Sequence, residues 1–273
     1  MIINVGHVAT EKFDTTGVSA CNNQQSTSVD LSSCIINAAS ECTVFVRTII
    51  KKSDSYDAMQ IDRLKIDTQE KYDALNLQRE HHKKFLQTIK ANSFDRAMAE
   101  RPENPISLSL IYSSIDSIKY NTGNCADMSL ILGAIIAKYI PQRLTGIGFS
   151  KNNVFDARIS TSLMYNSASG GNHVVVFLTF TDSKGISEYI LDPWLDARIF
   201  KKEESYEIYK NNSSEYINEN HCFEAYDKYT AIMNSAEYID AITKTINLLY
   251  RVNLDEIQLT NPFKFILSDV KAD

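Results

Sequence analysis

The chain has 273 residues, 44% of them apolar, with a formal net charge of -6 and a pI of about 5.5. That is enough apolar matter for one large core or two small ones, and it lacks the positive charge expected of a general nucleic-acid binder. No apolar run reaches the ~18 residues that a membrane span requires; the most apolar stretch, Met128 to Ala137, ends at Lys138.

From the N-terminus, MIINVGHVATEKFD has no basic start followed by an apolar block, so no cleavable secretory signal is expected. Residues 1–30 are polar and aperiodic and read as an irregular arm. Residues 31–104 read as a helical region. Leu31 to Lys51 has helical spacing, although TVFVRTII within it is β-branched enough for a strand. In the charged segment 55–100, Met59, Ile61, Leu64, Tyr72, Leu75, Phe85, Leu86 and Ile89 form a narrow apolar stripe, which predicts two helices in a hairpin or lid with a solvated outer face. Arg101-Pro102 through Pro105 breaks that pattern and marks a boundary, with the core over 105–273.

Beyond the boundary, 106–119 reads as a helix, followed by NTGNCADMSLILGAIIAKYIP, a turn leading into a buried helix that Pro141 should stop near Tyr139. Strands are expected over Arg143 to Phe149, Val154 to Met164, His173 to Phe180 and Tyr189 to Asp192, then helices over 220–232 and 236–252. This order is α+β, with a central cysteine-bearing helix expected on an antiparallel sheet.

The chemistry starts at that helix. With Asn124 as N-cap, Cys125 is the first helical residue and Asp127 the third, a capping-box variant, with Gly123 in the turn before it. A thiol in a first turn faces the positive end of the helix dipole, which favours the thiolate, and amides that can receive an oxyanion. The alternative is a small buried hydrophobe. The other cysteines, Cys21, Cys34, Cys42 and Cys222, form no CxxC and no zinc spacing with it. They read as reduced thiols, and neither metal nor organic cofactor is expected.

A thiolate nucleophile needs a base, and the base an orienting partner. His7 falls in the arm, His81 and His82 in a charged helix, and His221 in a polar stretch, all solvated positions. His173 instead opens the apolar strand HVVVFLTF directly after SGGN. If the next strand, EYILDPW, returns through a turn at Asp182 to Gly185, His173 faces Trp194 and Val175 faces Asp192. His173 and Asp192 are then same-face diagonal neighbours, about 7–8 Å apart along the pleat, and a one-residue slip would separate them. Pro193 holds Asp192 extended. Asp196 is the reserve orienter, and Trp194 either walls the site or packs the core.

GNCADMS, NHVVVF and ILDPW, in that order, resemble the papain-like and transglutaminase-like thiol enzymes. The likeness is to compact bacterial effector and toxin domains, such as the deamidase domain of dermonecrotic-type toxins and secreted cysteine-protease effectors. It covers about residues 106–200 and implies Cys125 as nucleophile, His173 as base and Asp192 as orienter. It also implies a protein delivered by a specialised secretion system into a host cytosol, acting on a host protein. One departure is the glutamine that papain-like enzymes place before the cysteine: here the segment reads SIKYNTGN, leaving Asn121, Asn124, or the Cys125 backbone N–H with another amide as oxyanion candidates.

The expected reaction is acyl transfer through a thioester, as glutamine deamidation or transamidation, with proteolysis as the alternative. An arylamine-type N-acetyltransferase would share the Cys, His, Asp order but lacks its basic, glycine-rich lead here. A non-catalytic module binding a host protein is the alternative from another class.

Overall fold

The computed structural model describes residues 30–51, 68–166, 173–195, 197–212, 223–256 and 261–263. The 1–30 arm, except Asp30, lies outside the described residues, as do Met59, Ile61 and Leu64.

The fold is α+β: helices around an antiparallel five-stranded sheet. Helix α1 (Leu31–Ile49) starts where the Asp30 carboxylate accepts from Ser33 N–H. Ile35, Ala38, Ala39, Cys42, Phe45, Val46 and Ile49 form its buried face at helical spacing. The β-branched stretch stays helical because that face is wholly buried. Thr43 and Thr48 turn their hydroxyls back onto the carbonyls of Ala39 (2.8 Å) and Val44 (2.9 Å).

The described part of 55–100 forms one helix, α2 (Gln69–Glu100), and the rest of the expected pair lies outside the described residues. Capped by Thr68, α2 buries only Leu75, Leu86, Ile89, Ser93 and Ala97, while Tyr72 and Phe85 are exposed. Helix α3 (Pro105–Tyr120) begins with proline at its first position, where no N–H is needed, and packs along α2. Asn121, left-handed at φ 52°, ends it.

Helix α4 (Cys125–Gly146) is the centre of the molecule, with nearly every residue from Asp127 to Ile136 buried. It does not stop at Tyr139: it runs through Pro141 to Gly146, and Arg143–Phe149 is not a strand. Proline removes one backbone bond there. Burial of Ile140 and Leu144 and the Thr145 hydroxyl bond to Pro141 O (2.8 Å) carry the helix past it. The strand expected from Val154 starts later, since Ser150 caps the short helix α5 (Lys151–Asp156).

The strands are β1 (Ser160–Asn166), β2 (His173–Asp182), β3 (Gly185–Asp192), β4 (Arg198–Lys201) and β5 (Phe223–Ala225), in the order β4-β3-β2-β1-β5. Between β2 and β3 a two-residue turn pairs Asp182 with Gly185, and the ladder runs to Val176 opposite Leu191, the register expected. Gly185 is needed at its φ of +122°. Helix α6 (Ser205–Asn212) follows β4. Within 220–232 the expected helix starts only at Asp227 (α7, Asp227–Met233), because Phe223–Ala225 pairs with β1 and Tyr226 N–H continues that ladder to Leu163 O at 2.9 Å.

Helix α8 (Ala236–Tyr250) packs on α4 and α3. Helix α7 lies so close to α4 that a Cβ on Gly133 would sit 2.0 Å from Met233 Sδ. One continuous apolar cluster holds α1, Ala97 of α2, α3, α4 and the sheet, so the helical region before residue 105 shares its core with the segment after it.

Candidate active site

Gly123 brings the chain in close before α4: a Cβ there would meet Asp127 Cβ and Ile50 Cγ2, both at 3.1 Å. Asn124 then caps the helix, its Oδ1 accepting from Ala126 N (3.0 Å) and Asp127 N (3.1 Å), and Asp127 Oδ2 accepts from Asn124 N (3.0 Å). This reciprocal box fixes Cys125 as the first helical residue, half-buried at the positive end of the dipole. Lys90 Nζ of α2 lies 3.3 Å from the same Asp127 oxygen.

One turn along α4, Ser129 Oγ donates to Val174 O at 2.9 Å. Cys125 and Ser129 share a helix face, so this bond holds the thiol's face against the start of β2. His173 sits there, 4% exposed, and the Cys125 and His173 side chains are hydrogen-bonded to each other.

His173 Nε2 lies 2.6 Å from Asp192 Oδ2, which leaves Nδ1 for the sulfur. Asp192 is fully buried and collects four hydrogen bonds. Oδ2 also accepts from the Tyr209 hydroxyl at 2.7 Å, and Oδ1 accepts from the backbone N–H groups of Trp194 (3.1 Å) and Leu195 (3.0 Å). Pro193 has no N–H to place, so the turn after β3 folds the next two amides back onto the carboxylate. The Trp194 ring packs 4.9 Å from the imidazole and Tyr209 edge-on at 5.7 Å.

Burial opposes charge on the imidazole, but the Asp192 carboxylate and the Cys125 sulfur outweigh it and push the His173 pKa up to about 10. Burial likewise works against ionisation of Asp192, and is overcome by His173, the Leu195 N–H and Tyr209, which hold this carboxyl below its usual range. Burial, and then the neighbouring carboxylate, push the Tyr209 phenol well above its ordinary value, so it stays a donor. The arrangement therefore favours an ionised Asp192, which stabilises positive charge on the imidazole when the ring takes a proton.

The structure thus brings Cys125, His173 and Asp192 together with Trp194 against the imidazole. Of the two asparagines expected as oxyanion candidates, Asn121 has its amide committed elsewhere. Asn124 is fixed through its oxygen by the cap, while Asn121, with its amide oriented to donate, reaches Tyr250 Oη (3.2 Å), Ile118 O (3.1 Å) and Ile49 O (3.3 Å). The hydrogen-bonding capacity of Asn121 goes to the junction of α1, α3 and α8. Asp196, His7 and His221 lie outside the described residues; His81 is exposed on α2 and His82 half-buried.

Tyr209 and Ser129 were not predicted. Tyr209 sits in SYEIYKNN, where no spacing ties it to Asp192, and Ser129 is one small polar residue in an apolar helix.

No protein-family model, curated protein or solved structure matches this chain. Among the described residues, no group of three or more His, Cys, Asp or Glu could hold a metal ion, and no helix is long and apolar enough to cross a membrane.

Proposed function

We propose that the chain is a thiol acyl-transfer enzyme with Cys125 as nucleophile, His173 as base and acid, and Asp192 as orienter. The observation that carries this reading is the unbroken series of contacts from sulfur to imidazole to a carboxylate with four donors.

Cys125 Sγ gives its proton to His173 and attacks an amide carbonyl carbon. The imidazolium returns the proton to the departing nitrogen as the C–N bond breaks, leaving a thioester and ammonia or an amine. Water or an amine then attacks the thioester, His173 takes its proton, and the thiol is restored. Asp192 stays ionised throughout and balances the imidazolium. Negative charge developing on the carbonyl oxygen lies near the positive end of α4.

The likeness of GNCADMS, NHVVVF and ILDPW to papain-like and transglutaminase-like effectors favours a glutamine side chain in a host protein as acyl donor, with peptide-bond cleavage the related outcome of the same chemistry. A secreted effector acting in a reducing host cytosol fits that reading. Intact-mass spectrometry of candidate proteins incubated with wild type and with Cys125→Ala tests it. Deamidation gives about +1 Da, transamidation a conjugate and proteolysis fragments. Modification that persists with Cys125→Ala contradicts the proposal.

A further inference from the structure

Next to the first turn of α4 the surface opens into a cleft of about 310 Å³, at the small end of ligand pockets. Ala126, the residue after the thiol, and Val174, the residue after the imidazole, both line it. The remaining lining is chiefly apolar, including Phe94 of α2, Leu110 of α3, Leu130 of α4 and Leu163 of β1. Phe94 leaves 43% of its surface in solvent, so its ring is open to an entering side chain.

The cleft's charges cancel. Among the described residues lining it, the one cation, Lys90, is 3.3 Å from Asp127, and the Asp127 side chain is only 4% exposed and already accepts from Asn124 N. An acidic side chain entering the cleft would compete with Asp127 for Lys90, and a basic one would find a carboxylate already satisfied. An apolar side chain meets neither cost and gains burial against Phe94, Leu110, Leu130 and Leu163.

We propose that this cleft is a specificity pocket that receives a bulky apolar side chain of the polypeptide whose amide Cys125 attacks. The assignment rests on the acyl-transfer reading above. It makes the α2–α3 pair part of substrate selection, since that pair supplies Phe94, Lys90 and Leu110.

The test uses the full chain and three peptidyl chloromethyl ketones that alkylate a thiol: one with phenylalanine adjacent to the warhead, one with phenylalanine a residue further away, and one with glycine at both places. Iodoacetamide measures the reactivity of Cys125 without a side chain. One of the phenylalanine probes is expected to label Cys125 about tenfold faster than the glycine probe. Ser109→Phe, a substitution at a partly exposed position on the cleft wall, is expected to bring that preference close to unity while iodoacetamide labelling stays within about twofold.

Equal rates for all three probes on wild type overturn the pocket, even if Ser109→Phe fails to fold. A preference that survives in folded Ser109→Phe overturns it as well. A Cys125 that iodoacetamide does not modify in the native protein overturns the acyl-transfer reading itself, and the pocket with it.

Discussion

The two ends of α4 each bury a carboxyl group against a tyrosine hydroxyl, with opposite results. At the N-terminal end, Asp192 has Tyr209, two backbone N–H groups and His173 around it, and stays ionised despite full burial. Near the C-terminal end, Glu41 of α1 has the Tyr139 hydroxyl and, 3.9 Å away, the Arg143 guanidinium. There burial wins and raises the Glu41 pKa, while burial and Glu41 together raise Tyr139. Burial of an acid is thus no mark of a reactive centre. What separates the ends is the number of donors aimed at the carboxylate and the presence of a group, His173, that can carry a proton to a neighbouring sulfur.

Substitutions at the two ends can break this contrast. Cys125→Ala and His173→Ala are each expected to lower acyl transfer by at least about 10³-fold, read as loss of the product mass shift. Asp192→Ala leaves an imidazole without its counter-ion and two amides without an acceptor, and is expected to destabilise by roughly 3–5 kcal/mol, measured by urea unfolding. Glu41→Gln at the other end is expected to change stability by less than ~1 kcal/mol and leave Cys125 labelling unaltered, because the new side chain can still accept from Tyr139. A comparable loss of labelling in both variants would erase the distinction.

The pH dependence sharpens the contrast further. His173 is raised from 6.5 to about 10, so its contribution to stability is fully present below about pH 6.5 and is lost as pH rises toward 10. Asp192 is lowered from 3.8, so its contribution is present above about pH 3.8 and is lost as pH falls through its lower folded-state value. The pair therefore stabilises most between about pH 4 and 6.5. Glu41, raised from 4.5, has the opposite sign: its contribution is present below about pH 4.5 and is lost as pH rises through its folded-state value. Unfolding midpoints of wild type, Asp192→Asn and Glu41→Gln across pH 4–10 should show these opposite trends.

Smaller effects follow from single contacts. Tyr209→Phe removes one of four bonds to Asp192 and is expected to cost about 1 kcal/mol, slowing acyl transfer by roughly fivefold. Gly133→Ala forces buried Met233 to move and is expected to destabilise by about 1–3 kcal/mol, with no change in the pH profile of labelling.

Much of the site was legible because its determinants are local. Asn124 and Asp127 announce the helix start, and Asp182 to Gly185 fixes a hairpin whose register carries His173 to Asp192. The reach of α4 past Pro141 was hidden because tertiary burial of Ile140 and Leu144 decides it, not propensity. Tyr209 was hidden for a related reason: its role comes from where β4 and α6 return the chain, which no periodicity encodes. The same holds for Asn121, whose partners lie on α1, α3 and α8 and emerge only when those helices meet.

The most direct measurement is native alkylation of Cys125 by iodoacetamide at pH 6, compared between wild type and His173→Gln with site occupancy read by peptide mass mapping. Ready labelling of folded wild type is expected, with a drop of at least about tenfold when the imidazole is replaced. A thiol that reacts only after denaturation, or one that labels equally fast without His173, would contradict it.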